Sequence, residues 1–168
     1  NALLGTSLQI AIIVVVPFIL LGNVLGRCGG SEFFTDLARA LMGRYRGGSA
    51  KVAVVGSGFF GMISGSAVAN VTAVGVVTIP LMKRSGYPAQ IAAAIEAVGS
   101  TGGQLMPPVM GAAAFLMAEV LGVPYVEVMI AAIIPAFLYY LALFFQVDAE
   151  AAKRGIRGEP ADRLPRLL

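Results

Sequence analysis

Between Lys51 and Lys83 the chain runs thirty-one residues without one charged side chain. As one helix rising about 1.5 Å per residue, that run overshoots a bilayer core of roughly 30 Å. Its middle reads GMISGSAVANV, where the small and polar residues Gly61, Ser64, Gly65, Ser66 and Asn70 cluster. The pattern predicts a helical hairpin over residues 49–86 that enters a membrane, turns near the midplane and leaves on the side it came from. Non-helical backbone at that depth is tolerated only where protein buries it or where it lines a cavity. The turn is therefore a candidate binding site for an ion or a solute.

The rest of the chain agrees with a membrane setting. Of its 168 residues, 58% are hydrophobic and 12% charged, about half the charged fraction of a soluble domain. The reading is an all-α membrane protein. The formal net charge of +3 does not point to nucleic acid, because the basic residues stand between apolar segments, as at a membrane surface. One cysteine, Cys28, permits no internal disulfide. The absence of histidine removes the commonest general base and the commonest transition-metal ligand. The chain opens on Asn1 without a basic leader; this is not the pattern of a signal peptide, and the expectation is a piece of something longer.

Along the chain, residues 1–27 read as one transmembrane helix with a kink at Pro17. Residues 28–48 contain an interfacial amphipathic helix. Phe33, Phe34, Leu37, Leu41 and Met42 fall at helical spacing opposite Asp36, Arg39 and Arg44, with Ser31 or Thr35 as its cap. The re-entrant hairpin 49–86 closes on the basic turn KRSGYP. Residues 87–123 form a discontinuous transmembrane helix: VGSTGGQLMPP interrupts it, because glycines and two adjacent prolines do not continue a regular helix. One half is expected to end near Val98 and the other to begin near Pro108. Residues 124–147 are the last transmembrane helix, and 148–168 a charged, solvated tail.

Charge fixes the expected orientation. Five basic residues lie in 27–51, two at 83–84, none in 119–127 and five in the tail. With the hairpin re-entrant, every basic cluster falls on the cytoplasmic side; with the hairpin as a full crossing, one would fall outside.

The two interruptions should meet near the midplane. Broken helices expose carbonyls and N–H groups, which transporters use to hold Na⁺ and anionic substrate groups. The hairpin tip offers the oxygens of Ser64, Ser66 and Asn70, and the helix break those of Ser100, Thr101 and Gln104. Such hard neutral oxygens suit an alkali cation and not zinc or copper. Packing is the competing role for small residues in membrane helices.

The stretch GMISGSAVANVTAVGVVTIPLMKRSGYPAQIAAAIEAVGSTGGQLMPPVMGAAAFLMAE resembles the large membrane subunit of tripartite ATP-independent periplasmic (TRAP) transporters, most of all the fused permeases that work with a TAXI-type binding protein. The SGS…A-N tip, the K-R-x-G-Y turn and the double proline carry the likeness, from about Phe33 to the end of the last span. The resemblance implies half of an inverted-repeat, elevator-type secondary transporter in a bacterial or archaeal cytoplasmic (inner) membrane. It implies Na⁺ as coupling ion, no other cofactor, and an organic acid as substrate. The implied partners are a periplasmic TAXI-type solute-binding protein and small-permease helices, separate or fused. Sodium and substrate contacts carry over to Ser64, Gly65, Ser66 and Asn70, and to Gly99, Thr101, Gly102, Leu105 and Pro107. At Asn70 many relatives have Asp or Thr. No second copy of the hairpin occurs in these residues, so transport by this segment alone is not expected.

The competing classes are an ion channel, for which Thr72-Ala73-Val74-Gly75 faintly echoes a potassium filter, and another hairpin-containing, ion-coupled carboxylate symporter. An intramembrane protease is excluded, since there is no His and no Asp between Asp36 and Asp148. Glu96 is the one acid inside an apolar stretch, a functional candidate by position. A structural role is favoured for it, paired with Lys83 or Arg84 or facing a domain contact.

Overall fold

The computed structural model describes residues 5, 8–9, 12–13 and 16–159. Seven α-helices follow one another among them, and no strand. α1 (Val16–Leu25) passes through a kinked segment (Gly26–Gly30), where Gly29 has φ 88°, into α2 (Ser31–Met42). Then come α3 (Gly48–Ser64), α4 (Ala67–Arg84), α5 (Ala89–Gly102), α6 (Ala112–Leu121) and α7 (Tyr125–Arg154). Much of the expected first span, and the tail from residue 160, lie outside the described residues. Pro17 lies in α1, and residues 14 and 15 just before it, on which a kink there depends, lie outside the described residues.

α3 is the centre. It packs against α1, α2, α4, α5 and α7, and it is buried on nearly every face. Its composition explains this: Gly48, Ala50, Ala53, Gly56, Ser57, Gly58 and Gly61 let neighbouring backbones approach. A helix apolar or small all round belongs inside. The main core joins α3 (Ala50, Val54) to Met82, Ile95, Leu143 and Val147 from α4, α5 and α7.

α2 turns a face of small residues (Ser31, Thr35, Ala38) inward and leaves Phe33 and Leu41 exposed. Neither Ser31 nor Thr35 caps it. Ser31 is already the first helical residue after Gly30, and Thr35 donates its hydroxyl to Ser31 O at 2.7 Å.

α7 is long and apolar enough to cross a membrane, alone in that among the described residues. It continues through the charged residues expected to be a solvated tail. Asp148 holds it to the start of α3: its carboxylate accepts from Lys51 Nζ at 2.6 Å and pairs with Arg46, and Lys51 Nζ also lies 4.8 Å from the Phe144 ring centroid. The hydrogen bonds from Arg46 and then Lys51 hold the Asp148 carboxyl at about 2, below its ordinary range. Arg154 Nε pairs with Glu150 at 2.5 Å, one turn back. The helix stops at Gly155, whose φ of 66° is left-handed.

A broken helix against a helical hairpin

α3 and α4 form a hairpin linked by two residues. Gly65 caps α3 with φ 58° and donates its N–H to Gly61 O at 3.0 Å. Ser66 caps α4, its Oγ accepting from Ala69 N at 3.3 Å. A Cβ at residue 65 would lie 2.1 Å from Met110 O, so both the backbone angle and the space demand glycine.

The helix break lies slightly further on than the spacing predicts. α5 runs past Val98 to Gly102, and α6 resumes at Ala112, not Pro108. Packing carries α5 through its glycines: Gly99 rests on Ser57, and Gly102 sits under the Tyr139 and Tyr140 rings with no room for a side chain. The intervening residues include a cis Pro107–Pro108 peptide and Met110 at φ 57°, and Gly111 N returns to Gln104 O at 2.8 Å. Met110 in the left-handed region and Gly111 extended, at ψ 163°, keep the helix from restarting before Ala112.

The two interruptions meet, and they do so backbone to backbone. A Cβ on Gly61 would lie 2.4 Å from Gly103 Cα, and one on Gly103 would lie 2.8 Å from Gly61 Cα. Val109 N bonds Met62 O at 3.3 Å across the same contact. The C-terminal ends of α3 and α5, each carrying the negative end of its helix dipole, thus converge. Asn70 lies at this crossing: its Nδ2 is 3.2 and 3.0 Å from where Cβ atoms of Gly61 and Gly103 would stand, and it donates to Ser57 O at 2.7 Å. Its Oδ1 has no hydrogen-bond partner although Asn70 is 0% exposed, and Ser64 Oγ is likewise buried and unpartnered. Buried polar atoms are nearly always paired. An unpaired amide oxygen on a residue where two helix C-termini converge, and an unpaired hydroxyl in the last turn of one of them, make a setting that attracts a cation.

Of the nine residues expected at the site, Gly65 and Asn70 lie at this contact, while Ser64 ends α3 next to Gly65 with its backbone packed on Gly22 of α1. Ser66 is half-buried in its capping role. The others of the break are differently engaged. Gly99 O accepts the Tyr140 hydroxyl at 2.8 Å. Gly102 O accepts Leu105 N at 2.9 Å. Thr101 is exposed and donates to Ala97 O at 2.8 Å, so its side chain is not brought to Ser64 and Asn70. Leu105 borders an apolar cleft of about 510 Å³ between α6 and α7, which Gln104 and Met110 also line. Pro107 is half-buried. Ser100 is withdrawn from the break altogether, its hydroxyl lying 3.1 Å from Glu96 Oε1.

The residues that sequence reasoning missed at the crossing are Gly103 and Met110. A glycine pair, one in each interruption, was the available sign of close backbone approach. Two expectations are corrected. Thr72 to Gly75 lie inside α4, with Thr72 Oγ1 bonding back to Val68 O at 3.0 Å, so they do not form an extended filter. Glu96 pairs with neither Lys83 nor Arg84; it is 1% exposed, among hydroxyls.

Comparison with known proteins fits a transporter built on these elements. The family described as "Tripartite ATP-independent periplasmic transporter, DctM component" matches residues 2–168. The chain is 36% identical over 146 residues to the C4-dicarboxylate TRAP transporter large permease protein DctM of Pseudomonas aeruginosa, covering 86% of this chain and 34% of that one. It is 32% identical over 159 residues to the isethionate TRAP transporter permease protein DctMQ of Oleidesulfovibrio alaskensis, covering 94% and 25%. With the sialic acid TRAP transporter permease protein SiaT of Haemophilus influenzae the identity is 33% over 146 residues, covering 86% and 23%. The chain therefore spans about a third or less of the length of these relatives. With its helices, its paired interruptions and a family match over nearly its whole length, the chain belongs to the DctM component family of the tripartite ATP-independent periplasmic transporters, a family of membrane transport proteins and not of enzymes.

Proposed function

We propose that this chain supplies the first cation-binding half of a sodium-coupled permease that imports organic acids delivered by a periplasmic solute-binding protein. In this reading α3 and α4 are a re-entrant hairpin opening to the cytoplasm, α5 and α6 are one discontinuous crossing, and α7 returns the chain to the cytoplasmic side of a multi-pass inner-membrane protein. The observation that carries it is two buried, unpartnered oxygens: Asn70 Oδ1, on a residue at the meeting of the C-terminal ends of α3 and α5, and Ser64 Oγ in the last turn of α3. A neutral oxygen pair at such ends suits Na⁺, which the half-helix sites of secondary transporters hold in the same manner. An anionic substrate agrees with the relatives' names, which specify a C4-dicarboxylate, isethionate and sialic acid. The binding protein is of the TAXI type and the small-permease helices are separate or fused, following the resemblance of the SGS tip and the double proline. Movement is by an elevator step of the hairpin-bearing body, completed by a second repeat outside this chain.

The test is uptake by the full-length permease in proteoliposomes with its binding protein. Ser64→Ala should raise the sodium concentration for half-maximal uptake by about tenfold or more, the equivalent of about 1.4 kcal/mol. An unchanged sodium dependence in this variant would remove Ser64 from the site.

A further inference from the structure

Glu96 stands on α5, two turns before the break, and its carboxyl is enclosed by one hydroxyl from each arm of the hairpin and one from its own helix. Ser57 Oγ of α3 and Ser100 Oγ of α5 lie 3.0 and 3.1 Å from Oε1, and Thr78 Oγ1 of α4 lies 2.5 Å from Oε2. All four residues are at most 1% exposed. Gly75 of α4 closes over the stem, since a Cβ there would approach Glu96 Cγ to 3.1 Å. The contacts are direct, leaving no space for a metal ion between the carboxyl and the hydroxyls.

No charge compensates this acid. The one charged residue of α3, Lys51, is bound to Asp148 at 2.6 Å. Lys83 and Arg84 are exposed at the C-terminal end of α4. α5 carries no other ionisable group. From α7 comes Tyr140, whose hydroxyl donates to Gly99 O; the acids Asp148 and Glu150 of that helix are held by Lys51, Arg46 and Arg154. Among the described residues no ion pair reaches Glu96. An ionised carboxylate without a partner is among the costliest groups to bury.

Counting protons decides how the cluster is satisfied. Thr78 Oγ1 has one proton and two acceptors in reach, Glu96 Oε2 and Val74 O, the latter at 3.1 Å. Ser57 and Ser100 each donate to Oε1. If Glu96 is the neutral acid, Oε2–H donates to Thr78 Oγ1, Thr78 donates to Val74 O, and every donor and acceptor is used. If it is ionised, Thr78 can serve only one of its two acceptors.

We propose that Glu96 is a proton-binding site, distinct from the Ser64–Asn70 pair. It holds its proton as a neutral acid, and that proton ties α5 to α4 through Thr78. The folded protein then carries a proton that the unfolded chain gives up above about pH 4.3, so stability falls as pH rises from there through neutral. Glu96→Gln reproduces the neutral acid in shape and donor pattern and should escape this loss.

Infrared difference spectra of the full-length permease, wild type minus Glu96→Gln, test the proton directly. At neutral pH they should show the C=O stretch of a protonated carboxyl, and the band should persist when sodium is added. Thermal melting from about pH 4 to alkaline pH should show wild type losing Tm relative to Glu96→Gln, with the two closest at the acid end. Glu96→Ala should melt lower throughout. Absence of the carboxyl band, its loss on adding sodium, or a Glu96→Gln variant that melts as low as Glu96→Ala would overturn the proposal. None of these readouts depends on transport, so they stand or fall apart from the sodium assignment.

Discussion

The two polar clusters of this chain use the same vocabulary of serine, threonine, amide and carboxyl, yet they differ in how their hydrogen bonds close. Around Glu96, three hydroxyls from three helices meet one carboxyl, and each atom has a partner. At the hairpin tip, Ser64 Oγ and Asn70 Oδ1 are as deeply buried and have none. A closed network rigidifies; an open one awaits something. Burial alone therefore does not separate a structural polar cluster from a binding site, whereas the count of donors against acceptors does.

The contact on which the open cluster depends is the most vulnerable. Gly61→Ala puts a methyl group 2.4 Å from Gly103 Cα; a backbone contact cannot yield as a side chain can, and the loss of stability should be about 3 kcal/mol. A denaturation series on the full-length permease checks this. If the variant melted like wild type, the two interruptions would not be in backbone contact, and the open cluster would lose its walls.

A control far from both clusters is Asp148→Asn, which leaves the Lys51 ammonium buried without its counter-charge. Because the aspartate is partly exposed, the cost should be about 2 kcal/mol, between the values for surface and buried pairs. The Asp148 carboxyl is held at about 2, below its unfolded value. Its contribution is thus complete above the unfolded value and is lost as the pH falls toward about 2. Acid titration of wild type and variant should show their stabilities converging there. A constant difference would mean that the pair does not titrate with folding.

The smallest effects sharpen the comparison most. Ser57→Ala removes one hydroxyl from the closed cluster and should cost about 1 kcal/mol. Ser64→Ala removes an atom that has no partner; without sodium it should cost nothing or stabilise by a few tenths of a kcal/mol. In sodium, wild type should gain stability by mass action while Ser64→Ala gains less. Equal losses from both serines in sodium-free buffer would erase the distinction between the clusters.

Much of the plan was legible because it rests on local chemistry. The charge-free run between Lys51 and Lys83 outlines α3 and α4, and the small residues at its centre mark the turn at Gly65 and Ser66. The double proline announces the break, although packing of Gly99 and Gly102 on α3 and α7 moves it along the chain. Helical phase would have withdrawn Thr101: Ser100 lies four residues after Glu96 and shares its face, whereas Thr101 is rotated away. What could not be read are contacts between distant segments. Ser57 and Thr78 reach Glu96 across 39 and 18 residues, and no periodicity reports them. The charged end of α7 reads as a tail until Lys51 and Arg46 are found beside Asp148, 97 and 102 residues away.

The crossing of Gly61 and Gly103 also limits how this part of the molecule can work. Two backbones in contact, with no side chains between them, leave no soft layer along which one could slide over the other. In the elevator step proposed above, the hairpin and the start of the break would travel as a single piece. A bound ion there would be carried as freight inside a sealed compartment, its surroundings unchanged from one end of the journey to the other. Loading and release would then need a door elsewhere.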